Sequence, residues 1–180
     1  MIKNEVILST ATKVLSERPN ATLQTIAREA GISRTTIFNR YPTREALLAA
    51  LCSNALQQIN DAVSFLATST STHFSQDLQK LTELLIPLAP QSTFLRNTPT
   101  QQGNLDALWE QTLNPLSLYM AEAQTQGLLR KEIPIRWLVT SYLSLLFGAW
   151  DEISLGELGP AQAARFVVLT WIQGAGQTAK

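Results

Sequence analysis

The chain has 180 residues, 45% of them hydrophobic and 16% charged, with 14 Lys or Arg against 14 Asp or Glu, one histidine and one cysteine. That composition excludes a disordered or fibrous chain, and its length suits one compact domain or a small one followed by a larger one. The formal charge of zero hides an uneven spread: residues 1–47 carry seven cations (Lys3, Lys13, Arg18, Arg28, Arg34, Arg40, Arg44) against four acids (Glu5, Glu17, Glu29, Glu45), and the remainder is acidic to match.

The first predicted helix, Ile2 to Glu17, sets Ile7, Ala11, Val14 and Leu15 on one stripe and ends before Pro19 and Asn20. Next comes the stretch on which the rest turns. Leu23, Ile26, Ala27 and Ala30 recur at i, i+3, i+4 and i+7, and Thr22 precedes them as an N-cap. Gly31 suits a positive φ, and Ser33 is set to cap a second helix opening at Arg34. Two short helices joined this tightly cross steeply, pinned by Ile32 and Ile37, which is a helix-turn-helix pattern. The second helix buries Ile37 and part of Phe38 or Tyr41, leaving Arg34, Thr35, Thr36, Asn39 and Arg40 on an outward face without an acid. Side chains of these types match base edges in the major groove. Pro42 stops the helix and Thr43 caps a third. Its first turn presents Arg44, a cation placed unfavourably for the helix dipole unless an anion lies opposite.

The third helix runs on to about Ala67, with Leu48, Leu51, Ala55, Ile59, Val63 and Leu66 on one side, and the hydroxyl-rich run Thr68–Thr72 closes it. Phe74, Leu78, Leu81, Leu85 and Leu88 mark another helix disturbed by Pro87; Pro90 to Gly103 reads two ways, helical at Phe94 and Leu95, broken at Pro99 and Gly103. From Asn104 a long helix runs to Gly127 through Pro115, which should kink it. The last two helices, about Pro134–Ile153 and Pro160–Gly174, are apolar nearly all round. In the first, Leu138, Tyr142, Leu145 and Ala149 line one face and Ile135, Val139, Leu143, Phe147 and Trp150 another. One small core cannot use both, so the pair predicts half of a two-fold four-helix interface.

The residues Gly31, Ile32, Ser33, Thr36, Ile37, Tyr41, Glu45 and Leu47 resemble the signature of the TetR family of transcriptional repressors. Two positions depart from it: Phe38 stands where the family usually has a tyrosine whose hydroxyl reaches a phosphate, and Arg44 where it usually has lysine. The resemblance implies an all-α fold, with a DNA-binding domain at 1–47 and a helical regulatory and dimerisation domain at 48–180. It further implies a homodimer joined by the last two helices, on a palindromic operator that a small-molecule effector releases. The candidate DNA-contacting set is Thr22, Ser33, Arg34, Thr35, Thr36, Asn39, Arg40, Tyr41 and Arg44. Of these, Thr35, Thr36 and Asn39 are expected on base edges and Thr22, Arg40, Tyr41 and Arg44 on phosphates. Phe94, Trp109, Tyr119, Met120, Tyr142 and Trp150 are candidates to line an apolar effector pocket, although aromatics at helical spacing also build cores. A DNA-binding architectural or activator protein with no small-molecule ligand is the competing reading.

An enzyme is not expected. Cys52 and His73 cannot form the paired ligands of a zinc site, and no phosphate loop, nucleophile motif or cofactor motif occurs. Cys52 reads as a packing residue, and His73 as a capping or solvent-exposed one. The start Met1–Glu5 lacks a signal-peptide core, and the 14-residue apolar run Trp137–Trp150 is too short for a bilayer, so a cytoplasmic location is expected.

Overall fold

The protein is seen in a computed structural model, which describes residues 4–70, 73–97 and 102–176, with the side chains of 96–97 and 102–109 outside the description. Helices and turns make up these residues, apart from one isolated bridge between Leu129 and Gly176. In chain order they are α1 (Asn4–Glu17), α2 (Leu23–Glu29), α3 (Arg34–Arg40), α4 (Arg44–Ser64), α5 (Phe74–Leu85), α6 (Ala89–Asn97), α7 (Gln102–Thr125), α8 (Ile135–Ser154) and α9 (Pro160–Ala175). Among the described residues, no helix is long and apolar enough to cross a membrane.

The chain divides into two compact units, Met1–Gln58 with Pro90–Leu105, and Ile59–Ala89 with Asp106–Lys180. The division after residue 47 expected from the motif falls inside α4, an unbroken helix that serves both units. That helix ends at Ser64, and a 3₁₀ turn covers the expected last residues, Phe65–Ala67.

In the first unit, Ile7, Ala11, Val14 and Leu15 of α1 all turn inward, joined by Leu8. They meet Leu23, Ile26 and Ala27 of α2, Ile37 of α3, and Leu47 and Leu51 of α4. The segment that read two ways is helical as α6. Pro90 falls in its first turn, where the missing amide would have had no helical partner, and Phe94 plugs into this same core. Cys52 packs half-buried against the cluster, and burial pushes its thiol above the usual range, as suits a packing residue. His73 is exposed at the start of α5 and makes no side-chain cap.

The second unit has an aromatic core. Phe74 stacks on Tyr119 with ring centroids 5.5 Å apart and also meets Trp171, which in turn meets Tyr142 edge-on at 6.2 Å. Their polar atoms are matched: the Trp171 indole donates to Leu138 O and Ser141 Oγ, and the Tyr142 hydroxyl pairs with Thr82 Oγ1 at 2.9 Å. From α8 the core takes Leu138, Val139, Tyr142, Leu146, Ala149 and Trp150. This stripe draws on both expected faces, because at 100° per residue their edges adjoin. Leu145, grouped by sequence with Leu138, Tyr142 and Ala149, is only half-buried. Gly127 adopts φ +78°, and Leu128 N donates back to Ala123 O, which closes α7 as its C-terminal glycine predicts.

Burial holds the Tyr142 phenol protonated well above the usual value, and Tyr119 likewise, by burial first and then by its hydrogen bond to Asp77. The folded state therefore keeps protons that the unfolded chain releases near pH ~10. Stability should be unaffected below that pH and decline above it. Urea midpoints measured from pH 8 to 11 should show this, with a shallower decline in Tyr142→Phe.

Candidate nucleic-acid interface

The geometry of α2 and α3 comes from two hydroxyl caps and one glycine. Thr22 Oγ1 accepts from Thr25 N at 3.2 Å and Ser33 Oγ accepts from Thr36 N at 3.1 Å, so each short helix has a free amide satisfied at its start. Between them Gly31 takes φ +65°, and Ile32 N donates to Ala27 O, which finishes α2 and turns the chain within three residues. Ile37 is fully buried and sets which face of α3 turns inward. Arg34, Thr35 and Asn39 consequently point outward with no acid on their face, and Thr36 and Arg40 lie beside them half-buried.

Sequence left open which aromatic neighbour would turn inward, and the fold selects Tyr41. It is 7% exposed, and its hydroxyl donates to Asn4 Oδ1 at 2.8 Å, with Arg40 Nη1 3.4 Å from the same oxygen. Tyr41 thus fastens α3 to α1, a packing duty that already engages the hydroxyl expected on a phosphate. Phe38 stays outside at 36% exposure, under the Arg34 guanidinium. Ser33 likewise acts first as a cap, its oxygen already engaged with Thr36.

Arg44 also has an internal role. Its guanidinium donates to Pro19 O and Ala21 O, carbonyls of the α1–α2 connection, which explains a cation at a helix start without an outside anion. Replacing it with alanine should lower unfolding stability by about 1–2 kcal/mol, because two charge-assisted bonds are lost at a half-buried site. Urea denaturation will measure it. Any loss of DNA affinity beyond that, with a salt slope lower by about one, would report a phosphate contact as well. Beside Arg44 lies an open cleft of about 410 Å³ lined by Asn20, Thr22, Leu23, Gln24 and Phe38. Asn20 and Gln24 were not picked out from sequence. Their one signal was that both are polar and flank the Thr22 cap.

Glu29, the acid nearest in sequence to the turn, lies 3.4 Å from Arg18 and 3.7 Å from Arg28. The outward face of α3 keeps its positive character, the electrostatic footprint of a phosphate-binding surface.

The matched region is this same turn and its supports. Residues 7–51 match the family model described as bacterial regulatory proteins, tetR family. That part of the chain is therefore a TetR-type helix-turn-helix. The curated proteins it resembles are transcriptional regulators. The HTH-type transcriptional repressor LfrR of Mycolicibacterium smegmatis is 34% identical over 94 residues, 52% of this chain and 49% of that protein, so the match spans about half the relative's length. The HTH-type transcriptional regulator NfxB of Pseudomonas aeruginosa is 23% identical over 98% of this chain and 96% of its own. The fold is that of the crystal structure of LfrR in complex with proflavine, with TM-score 0.75, 23% identity and coverage of 94% of this chain and 95% of that one.

The structure separates the effector-pocket candidates. Phe94 belongs to the first unit's core, and the Trp109 side chain lies outside the described residues. Tyr119, Met120, Tyr142 and Trp150 share the second unit, all buried. There Trp150 Nε1 donates to Ile86 O at 3.0 Å and the Tyr119 hydroxyl to Asp77 Oδ2 at 2.7 Å. Asp77 was missed in the sequence, where a lone acid in the first turn of a helix looks like an ordinary dipole partner.

Proposed function

We propose that this TetR-family regulator is a homodimeric repressor that sets α3 of each subunit in successive major grooves of a palindromic operator, about 34–36 Å apart. The carrying observation is the acid-free outward face of α3, held by two capped helices around Gly31. Arg34, Thr35, Thr36 and Asn39 face base edges, while Thr22, Arg40 and Arg44 lie on the phosphate side. Residence at the operator blocks transcription, and a cytoplasmic location follows from a DNA target.

An open groove of about 260 Å³ between α8 and α9 supports dimerisation through these helices. It is lined by Leu145, Gly148, Phe166 and Thr170 among others, and Leu169 of α9 is half exposed. A monomer gains nothing by displaying these residues, whereas a two-fold partner would cover them.

The second unit is the site for an effector that lowers operator affinity, and operator must then weaken the effector reciprocally. The Asp77 carboxylate, which accepts from the hydroxyl of the Tyr119 ring stacked on Phe74, supports a flat aromatic cation as the ligand class. Proflavine, the compound in the LfrR structure, is the first probe. The reading with no ligand draws on the same core, since its phenol and indole groups already have internal partners.

The DNA reading is tested by recovering bound duplexes from a randomised pool and comparing variants on the selected sequence. Asn39→Ala should relax preference at one or two base pairs per half-site, by about 1–3 kcal/mol each, and leave the salt slope unchanged. A wild-type protein that retains no duplex at low salt would end the proposal. Proflavine should raise the melting temperature and release the selected duplex; melting unmoved by saturating dye would favour the reading without this ligand.

A further inference from the structure

Two arginines open helices in the first unit, Arg34 on α3 and Arg44 on α4, and both stand against the helix dipole. Arg44 is accounted for by the carbonyls of Pro19 and Ala21. Arg34 has a different neighbour. Its guanidinium carbon lies 5.3 Å from the centroid of the Phe38 ring one turn later on the same exposed face, and none of the described residues accepts a hydrogen bond from it. A ring attracts the guanidinium without accepting conventional hydrogen bonds, so the N–H fork is left to seek acceptors elsewhere.

We infer that Phe38 is a positioning residue that holds Arg34 as a reader of guanine in each operator half-site. The inference rests on the DNA-binding reading above. Residues at the start of a recognition helix are those that reach base edges, and the paired acceptors O6 and N7 of guanine match the arginine fork. The ring holds the guanidinium near the helix face before DNA arrives, so less side-chain freedom is lost on binding. Phe38 also lines the open cleft that Leu23, a buried residue of α2, borders. A phenylalanine in place of a phosphate-bonding tyrosine then exchanges a backbone contact for a firmer base contact.

The experiment compares Phe38→Leu, Phe38→Tyr, Arg34→Ala and the double variant Arg34→Ala/Phe38→Leu. Each is tested on the duplex that wild type selects from a randomised pool and on duplexes with single base-pair changes. Arg34→Ala should abolish discrimination at one G·C pair per half-site. Phe38→Leu, which keeps apolar bulk but no π face, should weaken discrimination at that same pair about two- to fivefold with an unchanged salt slope. Phe38→Tyr should retain it, and the double variant should be no worse than Arg34→Ala. The inference is overturned if Phe38→Leu weakens all duplexes alike, if it alters preference at a T·A pair instead, or if Arg34→Ala lowers the salt slope by about one and spares base preference, which marks a phosphate contact. Wild type that selects no sequence defeats the DNA reading itself, a result distinct from all of these. Circular dichroism of Phe38→Leu checks that the exposed substitution leaves the helices intact.

Discussion

Gly148→Arg should give a folded monomer whose affinity for a duplex with two half-sites is lower by a factor of about 100 or more. Gly148 lies within α8 in ordinary helical conformation, and a Cβ built there meets nothing within 4 Å, so the subunit itself has room for a side chain. Glycine inside a helix is also about 1 kcal/mol less favourable than alanine, so the replacement does not weaken α8. The groove between α8 and α9 does lose its depth. A charged side chain would rise where a partner helix must approach, beside Leu145 and Phe166, and burying it unpaired costs more than the apolar contacts return. Solution mass by light scattering, together with gel retardation on the selected duplex, measures both effects. A variant that stays dimeric at micromolar concentration would move the interface off this groove.

Trp171→Ala should destabilise the protein by about 3–5 kcal/mol, lowering its melting temperature by roughly 10 °C or more. Trp171 is 2% exposed, and its ring touches both Phe74 and Tyr142, so alanine leaves a cavity at the centre of the aromatic cluster. The indole N–H also serves Leu138 O and Ser141 Oγ, ties between α9 and α8 that no alanine can restore. Trp171→Phe should cost less, since it refills much of the volume and forfeits the donor. Thermal denaturation by circular dichroism checks the order. A loss under about 1 kcal/mol for the alanine variant would mean that the cluster relaxes to fill the hole, which is also what an effector pocket able to open there requires.

The first unit was legible wherever the controlling interactions are local. Caps act over three residues, a helical stripe repeats over three or four, and the glycine turn needs only its own φ. Thr22, Ser33, Gly31 and the stripe of α1 therefore stand where their spacing put them. Helix ends beside prolines were less legible, because Pro90 can break a helix or open one, and the packing of Phe94 favours the second. The two-sided apolarity of α8 was legible as excess surface, but the division between core and groove was not. It depends on which residues α5 and α9 present to it.

Sequence alone determined the helix-turn-helix, the outward acid-free face of α3 and the resemblance of both to TetR-family regulators. Only the tertiary fold decided which aromatic that face would keep, what Arg44 would hold, and that Asp77 would meet Tyr119. Tyr41 turns inward because Asn4, 37 residues earlier, offers an acceptor; Arg44 binds carbonyls 23 and 25 residues back; Asp77 and Tyr119 are 42 apart. Polar partners at such separations meet only after the apolar faces have packed and closed the intervening loops, so no local pattern records them.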